Sequence, residues 1–272
     1  MHISIHGLAY FMKKYTLVLF LLCVLKLSSQ NNTLPFKSGE KLVYSAHYHW
    51  GFLWVEAGKV SFQFDIEKKE SSQILKMQSI GTTLPKYDWL FKVRDTFGSE
   101  AVFPGMYPLQ SKRINYEGKS WVFNYHTFLK SSNNIISDYA DRDTNRRIDT
   151  IPYAGERILD VQTAVYYARL WDLSNAKIGD INTINLVIGN KIYPIQMIFQ
   201  GEDIVKHING KVYPCYKITT KVVEGLIFRA NQEISVYVSK NKSQIPIVVR
   251  APILFGKVEA YLKQSFNADF GL

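Results

Sequence analysis

From Leu42 to Trp50 the chain alternates with a period of two. Leu42, Tyr44, Ala46, Tyr48 and Trp50 fall on one face, and Ser45, His47 and His49 on the other. That pattern predicts a half-buried β-strand, because successive side chains leave a strand on opposite sides. Val60, Phe62, Phe64 and Ile66 repeat it, with Ser61, Gln63 and Asp65 opposite. Similar runs cover 90–97, 119–127, 183–188, 191–199, 202–208, 211–222, 233–238, 245–250 and 256–266. Gly189-Asn190 and Asn209-Gly210 separate pairs of these runs, and both are dipeptides suited to tight hairpins. Short strands joined by hairpins predict a mainly β fold: a curved antiparallel sheet or an incomplete β-barrel.

One stretch departs from that period. Between 158 and 173, Val161, Ala164, Val165, Ala168 and Trp171 recur at spacings of three and four, which predicts an amphipathic helix. Asp160 stands as its N-cap, Thr163 follows three residues on, and 175–179 ends it. A lone helix in a β protein has to rest its apolar stripe on the sheet or plug the mouth of a barrel. It divides 30–272, expected to be a single β-rich domain, into two halves.

The first residues have another character. Lys13 and Lys14 precede an almost uncharged apolar run, 16–27, which gives way to Ser28, Ser29, Gln30, Asn31 and Asn32. This order predicts a secretory signal over 1–29, cleaved near Ser29 or Gln30. The run falls short of the roughly 20 residues that span a bilayer, so no transmembrane segment is expected after processing. Met12, directly before the lysines, offers a second start and would make 1–11 an extension. Leu22 precedes Cys23 where lipidation requires a small residue, which disfavours a lipid anchor. The expectation is an exported protein of the bacterial periplasm or outer envelope.

Charge adds little. Lys+Arg 33 against Asp+Glu 23 gives a net +10, scattered along the chain, which suits anionic envelope surfaces without specifying one. No basic stripe interleaved with aromatics appears, so nucleic acid is not an expected partner. Removal of 1–29 would leave only Cys215, flanked by Tyr213 and Tyr216. It reads as a small buried hydrophobe, with no internal disulfide.

Five blocks in order carry a family resemblance. They are Gly39-Glu40-x-Leu42-x-Tyr44 with Gly51 and Ala57-Gly58; Lys92-x-Arg94-Asp95 to Ser99 with Glu117-Gly118; Ile151-Pro152, then Asp160-x-x-Thr163-Ala164-x-Tyr166-x-x-Arg169 and Gly179-Asp180; Gly201-Glu202 with Gly210 to Cys215; and Val238-Ser239, Ile245-Pro246 and Gly256-x-Val258-x-Ala260-x-Leu262. In this order the chain resembles the exported bacterial domain-of-unknown-function family numbered 3108. Lys240-Asn241 stand where that family often shows acidic residues, and Thr163 replaces a usual Ser. The resemblance implies a periplasmic or outer-envelope β protein and carries no assigned reaction.

Candidate chemistry is sparse. His47 and His49 project from one strand face, but Zn²⁺ needs a third and usually a fourth ligand, so solvated strand histidines are expected. Asp141-x-Asp143-x-Asn145 mimics the start of a calcium loop, yet Arg146 takes its glycine position and Pro152 that of its bidentate Glu. A polar hairpin tip is expected there, and no metal or cofactor anywhere. Arg94 and Asp95 leave a strand on opposite faces, so one faces inward and needs a partner. These two, with Asp160, Tyr166 and Arg169, are candidates for orienting a ligand. No nucleophile elbow, zinc-protease helix, phosphate loop or dinucleotide fingerprint is present. Glu40, Glu56, Glu100, Glu117, Glu202 and Asp95 could pair for glycoside chemistry, as carboxylates could in almost any chain of this size.

These features lead to a non-enzymatic carrier whose half-barrel holds an apolar small molecule, lipid or lipoprotein against Tyr44, Tyr48, Trp50, Phe62 and Phe64. The second reading is a scaffold or glycan-interaction module with a fully packed core that engages an envelope protein or glycan. The third is a glycan-acting enzyme, and the sequence leaves that question open while leaning against it. A continuous apolar cavity separates the first reading from the second.

Overall fold

The computed structural model describes residues 34–69, 72–221, 233–253 and 256–268; the expected signal segment, 1–29, lies outside them. Up to the helix the strands are β1 (Glu40–Trp50), β2 (Leu53–Lys69), β3 (Ser72–Thr83), β4 (Val93–Phe103), β5 (Tyr107–Glu117), β6 (Ser120–Leu129), β7 (Asn134–Asp141), β8 (Arg147–Pro152) and β9 (Ile158–Leu159). Helix α1 (Val161–Ala168) follows. Then come β10 (Ile181–Ile188), β11 (Lys191–Lys206), β12 (Val212–Lys221), β13 (Glu233–Ser239), β14 (Pro246–Pro252) and β15 (Lys257–Phe266).

Among the described residues fifteen strands form one sheet, in the order β8-β7-β6-β5-β4-β3-β2-β1-β15-β14-β13-β12-β11-β10-β9. Neighbours in the sheet are neighbours in sequence, apart from β1 with β15, which joins the two halves. Every pairing is antiparallel except β9 with β10. The sheet does not close. Its end strands meet through side chains instead: Ile135, Ile151, Ile158 and Val187 pack there, with Phe128, Tyr153 and Ile192 around them. Twist accumulated over so many strands curls the sheet until its ends face one another.

Helix α1 occupies the space so enclosed, against β3, β4 and β10. Ala164, Tyr167, Ala168 and Trp171 meet a cluster of Ile184, Met197, Phe199, Tyr216, Ile218 and Val238. The helix is shorter than the 158–173 expected: residues 158–159 pair with β10 as β9, and regular helix stops at Ala168. Beyond it the turns tighten, with Leu170 N donating to Tyr167 O and Trp171 N to Ala168 O. The side-chain amide of Gln244 caps the carbonyls of Arg169 and Trp171, each at 2.7 Å. Orphan helix-end carbonyls thus find a partner from a distant loop.

Three other expectations change. The runs 191–199 and 202–208 are one strand, β11, whose register shifts between Phe199 and Gly201. Gly201 has φ +96°, a conformation glycine takes at no steric cost and which lets a bulge bend a strand without ending it. Leu90 and Phe91 lie not in a strand but in the exposed loop before β4. His47 is buried, not solvated. Its ring meets Tyr261 (5.4 Å), which also meets His207 (5.3 Å), and His207 hydrogen-bonds Leu262 O at 3.0 Å. Both faces of β1 are therefore covered.

Candidate functional site

The N-terminus of α1 organises a buried polar network. Asp160 Oδ1 accepts from the amides of Gln162 (2.9 Å) and Thr163 (3.0 Å), as an N-cap should. Its Oδ2 accepts from the hydroxyls of Thr163 (2.6 Å) and Ser99 on β4 (2.7 Å). Burial pushes the Asp160 carboxyl above the usual carboxylate range, against these hydrogen bonds, which favour the ionised form. Gln162 Oε1 accepts from Ser79 on β3 at 2.8 Å, while its buried Nε2 has no partner. Beside it lies a cavity of about 20 Å³, bordered by Ser111, Arg113, Asn124, His126 and Gly189, room for about one water molecule. His126 is held there by Gly189 O (2.8 Å) and Ser111 Oγ (3.3 Å).

The opposite end of the helix is anchored by charge. Arg169 donates to both carboxylate oxygens of Glu40 and, through Nε, to Ser243 O at 2.9 Å. Phe36, Phe64 and Tyr166 pack ring to ring beside it, at centroid distances of 4.6–5.3 Å. Burial raises the Tyr166 phenol far above its ordinary value, and its hydroxyl has no partner.

A wider groove lies on the other face of the same strands. Two cross-strand rows run over β2 to β6: Gln63–Gln78–Gly98–Lys112–Tyr125 and Asp65–Lys76–Glu100–Gln110–Thr127. All of these but Thr127 border a groove of about 390 Å³. Gln63 donates to Asp65 at 2.9 Å, and the Tyr125 hydroxyl donates to Gln110. Gly98 supplies the depth, since a Cβ added there would meet nothing within 4 Å. Amides, ammoniums, carboxylates and one phenol ring thus present both donors and acceptors.

The structure brings Asp160, Tyr166, Arg169 and Phe64 together around α1. Tyr44 is buried in a second cluster, with its hydroxyl on Pro246 O at 2.9 Å and Phe62 edge-on at 5.8 Å. Tyr48 is half-buried on β1; the Trp50 side chain lies outside the described residues. Arg94 faces away from the helix and pairs with Asp88 at 2.5 Å, also reaching the Thr83 hydroxyl at 3.1 Å. Asp95 accepts from Tyr116 N at 3.2 Å. Burial, reinforced by Glu117, pushes its carboxyl up to about 7.

Sequence reasoning met Glu40 as a loose carboxylate and Glu40 and Ser99 as family-block residues without giving either a buried partner, and it missed Ser79, Gln162, Gln244 and the pairing of the groove rows. The signal available for Ser99 was an inward position in an alternating strand. Among the described residues no three His, Cys, Asp or Glu side chains group to hold a metal ion. Asp141 instead caps its own hairpin, accepting from the amides of Asp143 (2.9 Å) and Thr144 (2.7 Å). Among them also, no helix is long and apolar enough to cross a membrane.

A family model described as "Protein of unknown function (DUF3108)" matches residues 43–263. The curated proteins searched include no match. Among solved structures, the chain is similar to a beta-barrel-like protein of domain of unknown function DUF1849 from Brucella abortus. The TM-score is 0.54 at 7% identity, over 86% of this chain and 99% of that one. The likeness is one of fold.

Proposed function

Starting from a chain that belongs to the DUF3108 family of proteins of unknown function, we propose an exported envelope module that holds a polar, glycan-class ligand in the β2–β6 groove. The observation that carries this is the groove itself. Its volume of about 390 Å³ lies within the roughly 300–1,000 Å³ usual for ligand sites. Sugar hydroxyls both donate and accept. Gln63, Gln78 and Gln110 do the same, Lys76 and Lys112 donate, and Asp65 and Glu100 accept. The Tyr125 ring offers one flat surface for a pyranose face.

Apolar cargo draws less support. The side chains expected to hold it, Tyr44 and Phe64, are packed, and α1 fills the space between the sheet halves. Export rests on the basic residues and apolar run at 13–27.

Chitotetraose titrated calorimetrically into the protein, alongside neutral and acidic oligosaccharides, tests the groove. Saturable binding to one of them is expected, with its loss in Gly98→Trp, whose indole would fill the groove without touching the core. Absence of binding across the panel, or a Gly98→Trp variant that binds as the unaltered chain does, overturns the reading. Cell fractionation tests the location: full-length chain confined to the cytosol overturns that part.

A further inference from the structure

Hairpin tips at one end of the sheet carry exposed aromatic and leucine side chains. Strand direction puts the β1–β2, β3–β4, β5–β6 and β7–β8 connections at that same end. There Phe52 is fully exposed, Trp89 81% and Leu90 66% exposed. Trp54, Phe91 and Trp121 are exposed beside them. Neighbouring hairpins are tied to one another near this end. Leu84 N, at the start of the β3–β4 loop, donates to Ala57 O on β2 at 2.8 Å. Phe91 lies so close over the β5–β6 turn that a Cβ on Gly118 would stand 2.8 Å from its ring. Arg142 N, in the β7–β8 turn, donates to Trp121 O at 3.2 Å. Scattered exposed hydrophobes are ordinary, but a group of them on neighbouring hairpins at one end of a sheet marks a contact surface.

Charge selects the partner. Lys86, Lys92 and Lys119 lie on these turns and form no ion pair among the described residues, whereas Asp88 is taken by Arg94 (2.5 Å) and Glu56 by Lys263 (3.5 Å). Asp143 is an exposed acid at this end, with Arg142 beside it in the β7–β8 turn, while Arg146 and Arg147 are taken by Asp138 (2.5 Å) and Asp149 (3.0 Å). Tryptophan, phenylalanine and leucine interspersed with lysine are the side chains of the membrane–water interface. Their rings settle at the headgroup level while the ammoniums meet anionic phosphates.

We propose that this end of the sheet docks peripherally on an anionic lipid surface, inserting Phe52, Trp54, Trp89 and Leu90 to the headgroup level. The site is independent of the groove, so either can fail without the other.

Full-length chain mixed with phosphatidylglycerol vesicles carrying brominated acyl chains tests it through quenching of tryptophan fluorescence and co-sedimentation. Quenching is expected on these vesicles, weaker on phosphatidylcholine, and falling as salt screens the headgroups. The Phe52→Ser/Trp89→Ser variant should lose most of the quenching. Lys86→Gln/Lys92→Gln/Lys119→Gln should weaken binding by about 10- to 100-fold. All five positions are exposed, and circular dichroism confirms that the variants fold. Equal binding to both lipids overturns the proposal. So does full quenching in the Phe52→Ser/Trp89→Ser variant, which would place the contact elsewhere in the chain. A dimer by sedimentation without vesicles, lost in that variant, would assign the surface to a second copy and also overturns it.

Discussion

The guanidinium of Arg169, just past the end of α1, grips both carboxylate oxygens of Glu40, the first residue of β1, at 2.5 and 3.0 Å. Both side chains are almost wholly buried. Such a pair adds little net stability over an apolar substitute of the same shape, but breaking it strands a charge in the interior. Its effect here is to fix where the helix sits against the sheet.

Glu40→Gln should therefore cost about 3–5 kcal/mol in urea unfolding, because Arg169 keeps its charge without a counterion. The double variant Glu40→Leu/Arg169→Met should recover much of that loss. If the single variant unfolds at the same urea concentration as the unaltered protein, the pair is not buried as described.

Asp160→Ala removes the helix N-cap and the acceptor for two buried hydroxyls, and it should cost about 2–4 kcal/mol. Asp160→Asn should be milder, since an amide oxygen can still accept from Gln162 N and Thr163 N. Thermal unfolding of the two variants side by side checks the order.

Burial, with Glu117 beside it, pushes the Asp95 carboxyl up to about 7 in the folded chain, from an ordinary value near 3.8. The folded state thus holds the proton more tightly than the unfolded one, so this group favours folding most below about pH 4. That contribution is lost progressively as pH rises to 7. Asp95→Asn should leave the melting temperature unchanged at pH 4 and raise it at pH 8, by about 2–4 °C for each kcal/mol relieved. A variant equally stable with the unaltered chain at both pH values would mean that the carboxyl is solvated.

Cys215 is fully buried, and burial pushes its thiol up to about 12. Maleimide should leave the Cys215 peptide unmodified in the native protein and label it within minutes in denaturant, as peptide mass mapping would reveal. Native labelling at a comparable rate would contradict the packing.

Strands were legible where their inner face is apolar. β1 and β2 place Leu42, Tyr44, Phe62 and Phe64 inward, and the alternation announces them. β3, β5 and β7 were missed because Ser79, Ser111, Asn115 and Ser137, all buried, interrupt the pattern. The helix explains this for Ser79, which donates to Gln162, whereas Ser111 meets His126 and Ser137 donates to Asn190. Gln162, Thr163, Tyr166 and Arg169 form the helix's other stripe, and this polar side is buried as well. A polar helix face requires polar partners on the strands it meets, so those strands cannot advertise themselves by apolar alternation.

Periodicity and turn residues were enough to specify a curled antiparallel meander with one helix capped by Asp160, because those signals are local and repeat along the chain. Which face of the helix meets which strand, that Glu40 waits for Arg169, and that the β2–β6 groove lies outside the curl were decided only by folding. Each depends on residues brought together across 60 to 130 positions, and a charge or hydroxyl looks the same in sequence whether its partner is water or a buried side chain.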